Sequence, residues 1–188
     1  MNDSNMVEVL ALKVTKMTQF AELEEVKHNK HGGGIYGHNN VHSAVTGYMG
    51  EYGVKVLYAR GGIDCHQNIK NNSMPDLTVF AHKTLETSFS KRSEEVKSWK
   101  SGGSWERYGK TITAKHAQDY FLKGIERVWF VEVNRDTNVC IIHGWATPEE
   151  CLQANTIETS SGTNHQLEVL HRVHEVMSWV DDDTGGWF

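Results

Sequence analysis

Apolar positions along the chain fall into two spacings, and these divide it into helices and strands. Val41, Val45, Tyr48, Tyr52 and Val56 recur at helical intervals, predicting a helix from Val41 to Tyr58 that the Gly61-Gly62 pair ends. Upstream, Thr18 to Asn29 reads as a short amphipathic helix with Thr18 as its cap, and Lys30 to Asn40 as a polar, Gly-rich loop. Val7 to Val14 alternates weakly and fits either a short strand or a helix start. Leu77 to Phe80 and Glu95 to Trp99 predict strands separated by a polar, hairpin-like segment. The strongest strand patterns are Arg127 to Val133 and Val139 to Trp145, joined by a turn at Asn134 to Asn138. Thr111 to Gly124 predicts a helix with Gly124 as its C-cap glycine, and Thr147-Pro148 opens another. Leu167, Leu170, Val173, Met177 and Val180 mark a final amphipathic helix. This order of elements describes an α/β domain around a mixed β-sheet.

Composition narrows the class. With 188 residues, 38% hydrophobic, six Trp and two Pro, the chain suits one folded domain. Its parts are an N-terminal extension (1–40), a core (41–145) and a C-terminal helical part (146–188). No stretch approaches the roughly 18 apolar residues of a membrane helix, and no basic segment leads into an apolar one at the start, so neither membrane nor secretory signal is expected. Three widely spaced cysteines, an odd number with no C-x-x-C, suit a reducing cytoplasm and argue against a structural zinc site. The net charge of −5 first argues against nucleic acid. Its distribution changes that picture: Lys83 to Arg127 holds ten Lys/Arg against six Asp/Glu, the remainder nine against eighteen. A basic middle in an acidic chain can give one site a positive surround, although an ordinary solvated surface also produces clusters of this size.

The residues that carry chemistry lie at that basic middle. Pro75-Asp76 precedes the strand Leu77 to Phe80, and eighteen residues separate Asp76 from Glu95-Val96-Lys97. Alternate residues of a strand share a face, so Glu95 and Lys97 project together while Val96 faces the core. If the two strands are neighbours, Asp76 meets that pair. Two carboxylates and an amine there suit phosphodiester hydrolysis, with the carboxylates binding a hard cation and the Lys positioning a water or opposing negative charge.

Pro75-Asp76 followed by Glu95-x-Lys97 resembles the signature of the PD-(D/E)XK nucleases, a superfamily of restriction, repair, recombination and homing endonucleases. The surroundings extend the likeness. Gly47 to Gly53 looks like the helix that carries an acidic residue in that superfamily, with Glu51 in its place, and Thr113 to Tyr120 then Arg127 to Val133 match its helix and strand after E-x-K. The resemblance covers Val41 to about Trp145. It implies a restriction-endonuclease-like mixed β-sheet flanked by helices and a Mg²⁺-dependent endonuclease acting on DNA, with Mn²⁺ able to substitute. Asp76, Glu95 and Glu51 are the implied metal ligands, Lys97 assists the attacking water, and Gln118 is a secondary catalytic candidate. A small free-standing nuclease is similar to phage, homing or restriction enzymes, working in the host cytoplasm if phage-encoded.

Each assignment has a plainer rival. Asp76 can punctuate a turn, Glu95 and Lys97 can form a solvated strand face, and Glu51 lies four residues before Lys55, at ion-pair spacing. The segment Trp99 to Lys110 interleaves cations, aromatics and glycine, making Lys100, Arg107 and Lys110, with Lys115 on the next helix, candidates to grip a phosphate backbone. The rival account packs those aromatics on the domain and leaves Lys115 on a solvated face. Gly47, Gly50 and Gly53, three apart, suggest a helix face packed closely on the sheet. Gly32-x-Gly34-x-x-Gly37 follows no strand and fails as a dinucleotide site. The histidines at 28, 31, 38 and 42 lack a fitting third metal ligand, and no serine-hydrolase elbow is present. The final helix offers a homodimer face, although covering its own core is its default role. A catalytically inactive nucleic-acid-binding module, an RNA endonuclease and a small-phosphate hydrolase are the alternatives.

Overall fold

Nearly every position from Arg127 to Val133 is buried, because the strand they form is covered on both faces. A computed structural model describes residues 7–10, 39–68, 75–82, 89–102, 109–159, 162–168 and 170–171. Its main sheet has six strands in the order β1-β7-β6-β4-β3-β2. These are β1 (Val7–Leu10), β2 (Asp64–Gln67), β3 (Leu77–His82), β4 (Phe89–Lys100), β6 (Arg127–Asn134) and β7 (Val139–Ala146). All neighbours are antiparallel except β4 and β6, which run parallel and are linked by a crossover through β5 (Thr111–Thr113) and helix α2 (Ala114–Leu122). The chain is therefore mixed α/β around a mixed sheet with helices against it.

Helix α1 (Asn39–Arg60) covers one face. Met49, Val54, Leu57 and Tyr58 from the helix pack there on Leu77, Val79, Val96, Trp129, Val131, Cys140 and Ile142. Close contact depends on two of the three spaced glycines. A Cβ at Gly50 would stand 1.8 Å from Ser98 Oγ, and one at Gly53 would stand 2.9 Å from Cys140 Cβ, whereas Gly47 has open space. The other face carries α2 and the short helix α3 (Pro148–Gln153), with Ala117, Tyr120, Ile125 and Cys151 against Val128, Phe130 and Trp99. Thr147 opens α3 with a full capping box and Pro148 in its first turn.

Three expectations need correction. Thr111 to Thr113 is a strand and not the start of the helix; it pairs with β9 (Gly162–Gln166), which pairs in turn with β8 (Asn155–Thr159) to make a second, three-stranded sheet. Helix α1 begins at Asn39, two residues inside the expected loop. Leu167 to His171, read as the start of the final helix, has no helical residues among those described; His171 instead exchanges backbone hydrogen bonds with Trp145. That approach needs Gly144, whose φ is +139° and whose Cβ would lie 2.4 Å from the His171 carbonyl oxygen. The rest of that predicted helix, and with it the dimer face, lies outside the described residues, as do the Thr18 to Asn29 helix, the glycines at 32, 34 and 37, the histidines at 28, 31 and 38, and Arg107. No helix among the described residues is long and apolar enough to cross a membrane.

Candidate active site

Two adjacent glutamates, Glu94 and Glu95, sit on β4, and strand geometry sends them to opposite faces. Glu94 enters the α1 face and is fully buried. Its carboxylate accepts from Tyr58 Oη at 2.7 and 2.8 Å, from Trp129 Nε1 at 2.7 Å and from Arg127 Nη1 at 3.2 Å. The Arg127 guanidinium lies 4.4 Å from the centre of the Trp145 ring. Burial pushes the Glu94 carboxyl upward, against the downward pull of Arg127, Trp129 and Tyr58. The Glu94 carboxylate is met by Tyr58, Trp129 and Arg127, which gives this cluster an anchoring role in the sheet.

Glu95 takes the other face, toward α2, and meets Asp76. The register Leu77 opposite Glu94 ends the β3–β4 ladder one step short of these two residues. Asp76 Oδ2 continues it by accepting the Val96 N–H at 2.9 Å. Asn68 fixes the turn that presents Asp76: its backbone N–H donates to the Asp76 carbonyl and its Nδ2 to the Pro75 carbonyl, both at 2.8 Å. Glu95 is only 3% exposed, and its Oε1 is buried without a hydrogen-bond partner. Burial and the neighbouring Asp76 carboxylate raise the Glu95 carboxyl to about 7, while Lys97 and the Tyr120 hydroxyl pull it down. A buried carboxylate beside a second one, with one oxygen unsatisfied, is a site where a cation relieves an electrostatic cost.

Lys97 lies on the same face as Glu95, half-buried, with Nζ 4.9 Å from the centre of the Tyr120 ring. Tyr120 is buried on α2 with its hydroxyl beside Glu95. One helical turn earlier His116 stacks on it, with centroids 6.0 Å apart and planes within 8°. Partial burial and the nearby Lys97 push the His116 imidazole below its usual range. Neither Tyr120 nor His116 was among the expected site residues. Their i,i+4 spacing on the helix after E-x-K was the available signal.

The structure thus brings Asp76, Glu95 and Lys97 together. Glu51 Oε2 accepts from Gln67 Nε2 at 2.7 Å, and Gln67 directly precedes the Asn68 that holds the Asp76 turn. Among the described residues there is no group of three or more His, Cys, Asp or Glu side chains that could hold a metal ion. Gln118 and Lys115 are exposed, turned from the stripe that Ala117 and Tyr120 bury. Lys100 is exposed at the end of β4, and Lys110 is half-buried beside β5. His42 lies within α1. The donor set that remains, two carboxylates and one orphaned oxygen, fits a hard divalent ion such as Mg²⁺, which takes one or two carboxylates and fills its shell with water and phosphate oxygens.

No family model matches this chain, and no curated protein or solved structure matches it either. What the site can do therefore rests on its own chemistry.

Proposed function

We propose that this protein is a Mg²⁺-dependent endonuclease that hydrolyses DNA phosphodiester bonds, on a restriction-endonuclease-like fold. The observation that carries the proposal is the meeting of Asp76, Glu95 and Lys97 on one face, with a buried Glu95 oxygen left unpartnered. The order of elements around them supports it: a helix, the Asp76 strand and the Glu95 strand side by side, then a crossover helix and a parallel strand. That is the arrangement the resemblance implies.

Asp76 and Glu95 would hold the metal, whose charge would offset that of the two neighbouring carboxylates. A bound Mg²⁺ supplies charge neutralisation at the phosphate and a more acidic water. Lys97 places its ammonium two residues along the strand, where it opposes charge that develops on the phosphate and orients a water by hydrogen bonding. Tyr120 excludes water from the inner side of the pair, and Asn68 keeps the Asp76 turn in register. Lys100, Lys110 and Lys115 are the described cations available to meet the backbone away from the site.

Plasmid and linear DNA, with a matched RNA, should be incubated with the protein with and without Mg²⁺, beside Asp76→Ala and Lys97→Ala. The proposal expects DNA cleavage that needs Mg²⁺ and is lost in both variants. Retention of DNA without cleavage points to a binding module, cleavage of RNA alone to a ribonuclease, and full activity in either variant removes the mechanism.

A further inference from the structure

Tyr120 reaches the site from α2 and touches two of its three members. Its hydroxyl adjoins the Glu95 carboxylate and pulls that carboxyl downward, and its ring lies 4.9 Å beneath Lys97 Nζ. The ring itself is fixed: it is 3% exposed, packed among Ala117, Ile125 and Phe130, and stacked on His116. The geometry points to Tyr120 as a positioning residue for the reaction, its hydroxyl holding the Glu95 carboxylate in one orientation and its ring carrying the Lys97 ammonium.

This inference rests on the nuclease reading and deepens it. A buried tyrosine in a helix is ordinarily core, and its hydroxyl need only find some acceptor. Here the neighbour is, among the described residues, the one carboxylate with a buried unpartnered oxygen, and the ring face is occupied by Lys97, which shares the Glu95 face of β4. With the phenol set against the carboxylate, Glu95 keeps one orientation, in which Oε1 stays buried and unpartnered beside Asp76. The ring face meanwhile favours an ammonium over solvent at that point, which limits how far Lys97 swings. The residue acts through Glu95 and Lys97 and touches no reacting atom.

Tyr120→Phe removes the hydroxyl and keeps the packing; Tyr120→Leu removes both. For Tyr120→Phe, turnover should fall about tenfold and the Mg²⁺ concentration giving half-maximal rate should rise by a similar factor, as for other groups that orient a metal ligand. KM for DNA should stay within about twofold, because uniform substrate binding is untouched. Mn²⁺ binding without DNA, measured by calorimetry, should weaken in parallel. Tyr120→Leu should lose a further several-fold in turnover, roughly what an ammonium–ring contact is worth. A Tyr120→Phe protein with unchanged turnover and unchanged Mg²⁺ dependence overturns the inference and leaves the nuclease reading standing. A wild-type protein that neither binds Mn²⁺ nor cleaves DNA overturns both.

Discussion

Replacing Glu95 by Gln should make the metal-free protein more stable while removing its activity. Folding carries Glu95 from water into a nearly closed position beside Asp76, and its carboxyl rises from 4.5 to about 7. A folded-state value above the unfolded one means that the folded protein binds the proton more tightly. Below pH 4.5 both states are protonated and no cost arises. Between pH 4.5 and 7 the unfolded chain has released the proton, so stability falls as pH rises, and above pH 7 the whole penalty is present. At about 1.4 kcal/mol for each pH step, the interval amounts to roughly 3 kcal/mol. Gln has the same shape, carries no charge and donates its amide to Asp76, so it removes that penalty. For a domain of this size the gain corresponds to roughly 6–12 °C in Tm. Thermal and urea unfolding of wild type and Glu95→Gln, in EDTA at pH 4 and pH 8, measures it. The variant should be more stable at pH 8 by up to about 3 kcal/mol and indistinguishable at pH 4. Equal or lower stability of Glu95→Gln at pH 8 would refute the view that this carboxylate is held against its own solvation and charge.

Glu94, its neighbour in sequence, should behave in the opposite way. Glu94→Ala leaves Arg127 buried without its partner and Tyr58 and Trp129 without their acceptor, at a cost of about 3–5 kcal/mol at any pH from 6 to 9, read by denaturant unfolding. Gly50→Ala drives a methyl into Ser98 and should destabilise by about 1–3 kcal/mol; Ser98→Gly in the same chain should recover most of it, and additive losses would contradict the close approach.

The strands and the acidic pair were legible because their signals are local. Arg127 to Val133 is apolar without alternation, as a strand covered twice must be, and Glu95-x-Lys97 shares a face by strand parity alone. Parity separates Glu94 from Glu95, but only the register with β3 says which one meets Asp76. What escaped is long-range or polar. The strands of the second sheet are short and largely polar, so nothing in their pattern sets them apart from loops. Leu167 and Leu170 have helical spacing, yet His171 bridges to Trp145, an approach that a glycine twenty-three residues before Leu167 permits. On α2, polar character drew attention to Gln118 and Lys115, whereas the side that reaches the site is marked by Ala117 and Tyr120.

The central claim is that Asp76 and Glu95 jointly hold one divalent ion. Titrating Mn²⁺ into the DNA-free protein at pH 8, with free Mn²⁺ followed by electron paramagnetic resonance, tests it most directly. Wild type should take up one ion per chain, and Asp76→Ala and Glu95→Gln should each lose that uptake. Equal uptake by all three proteins, or none by wild type, would contradict the account.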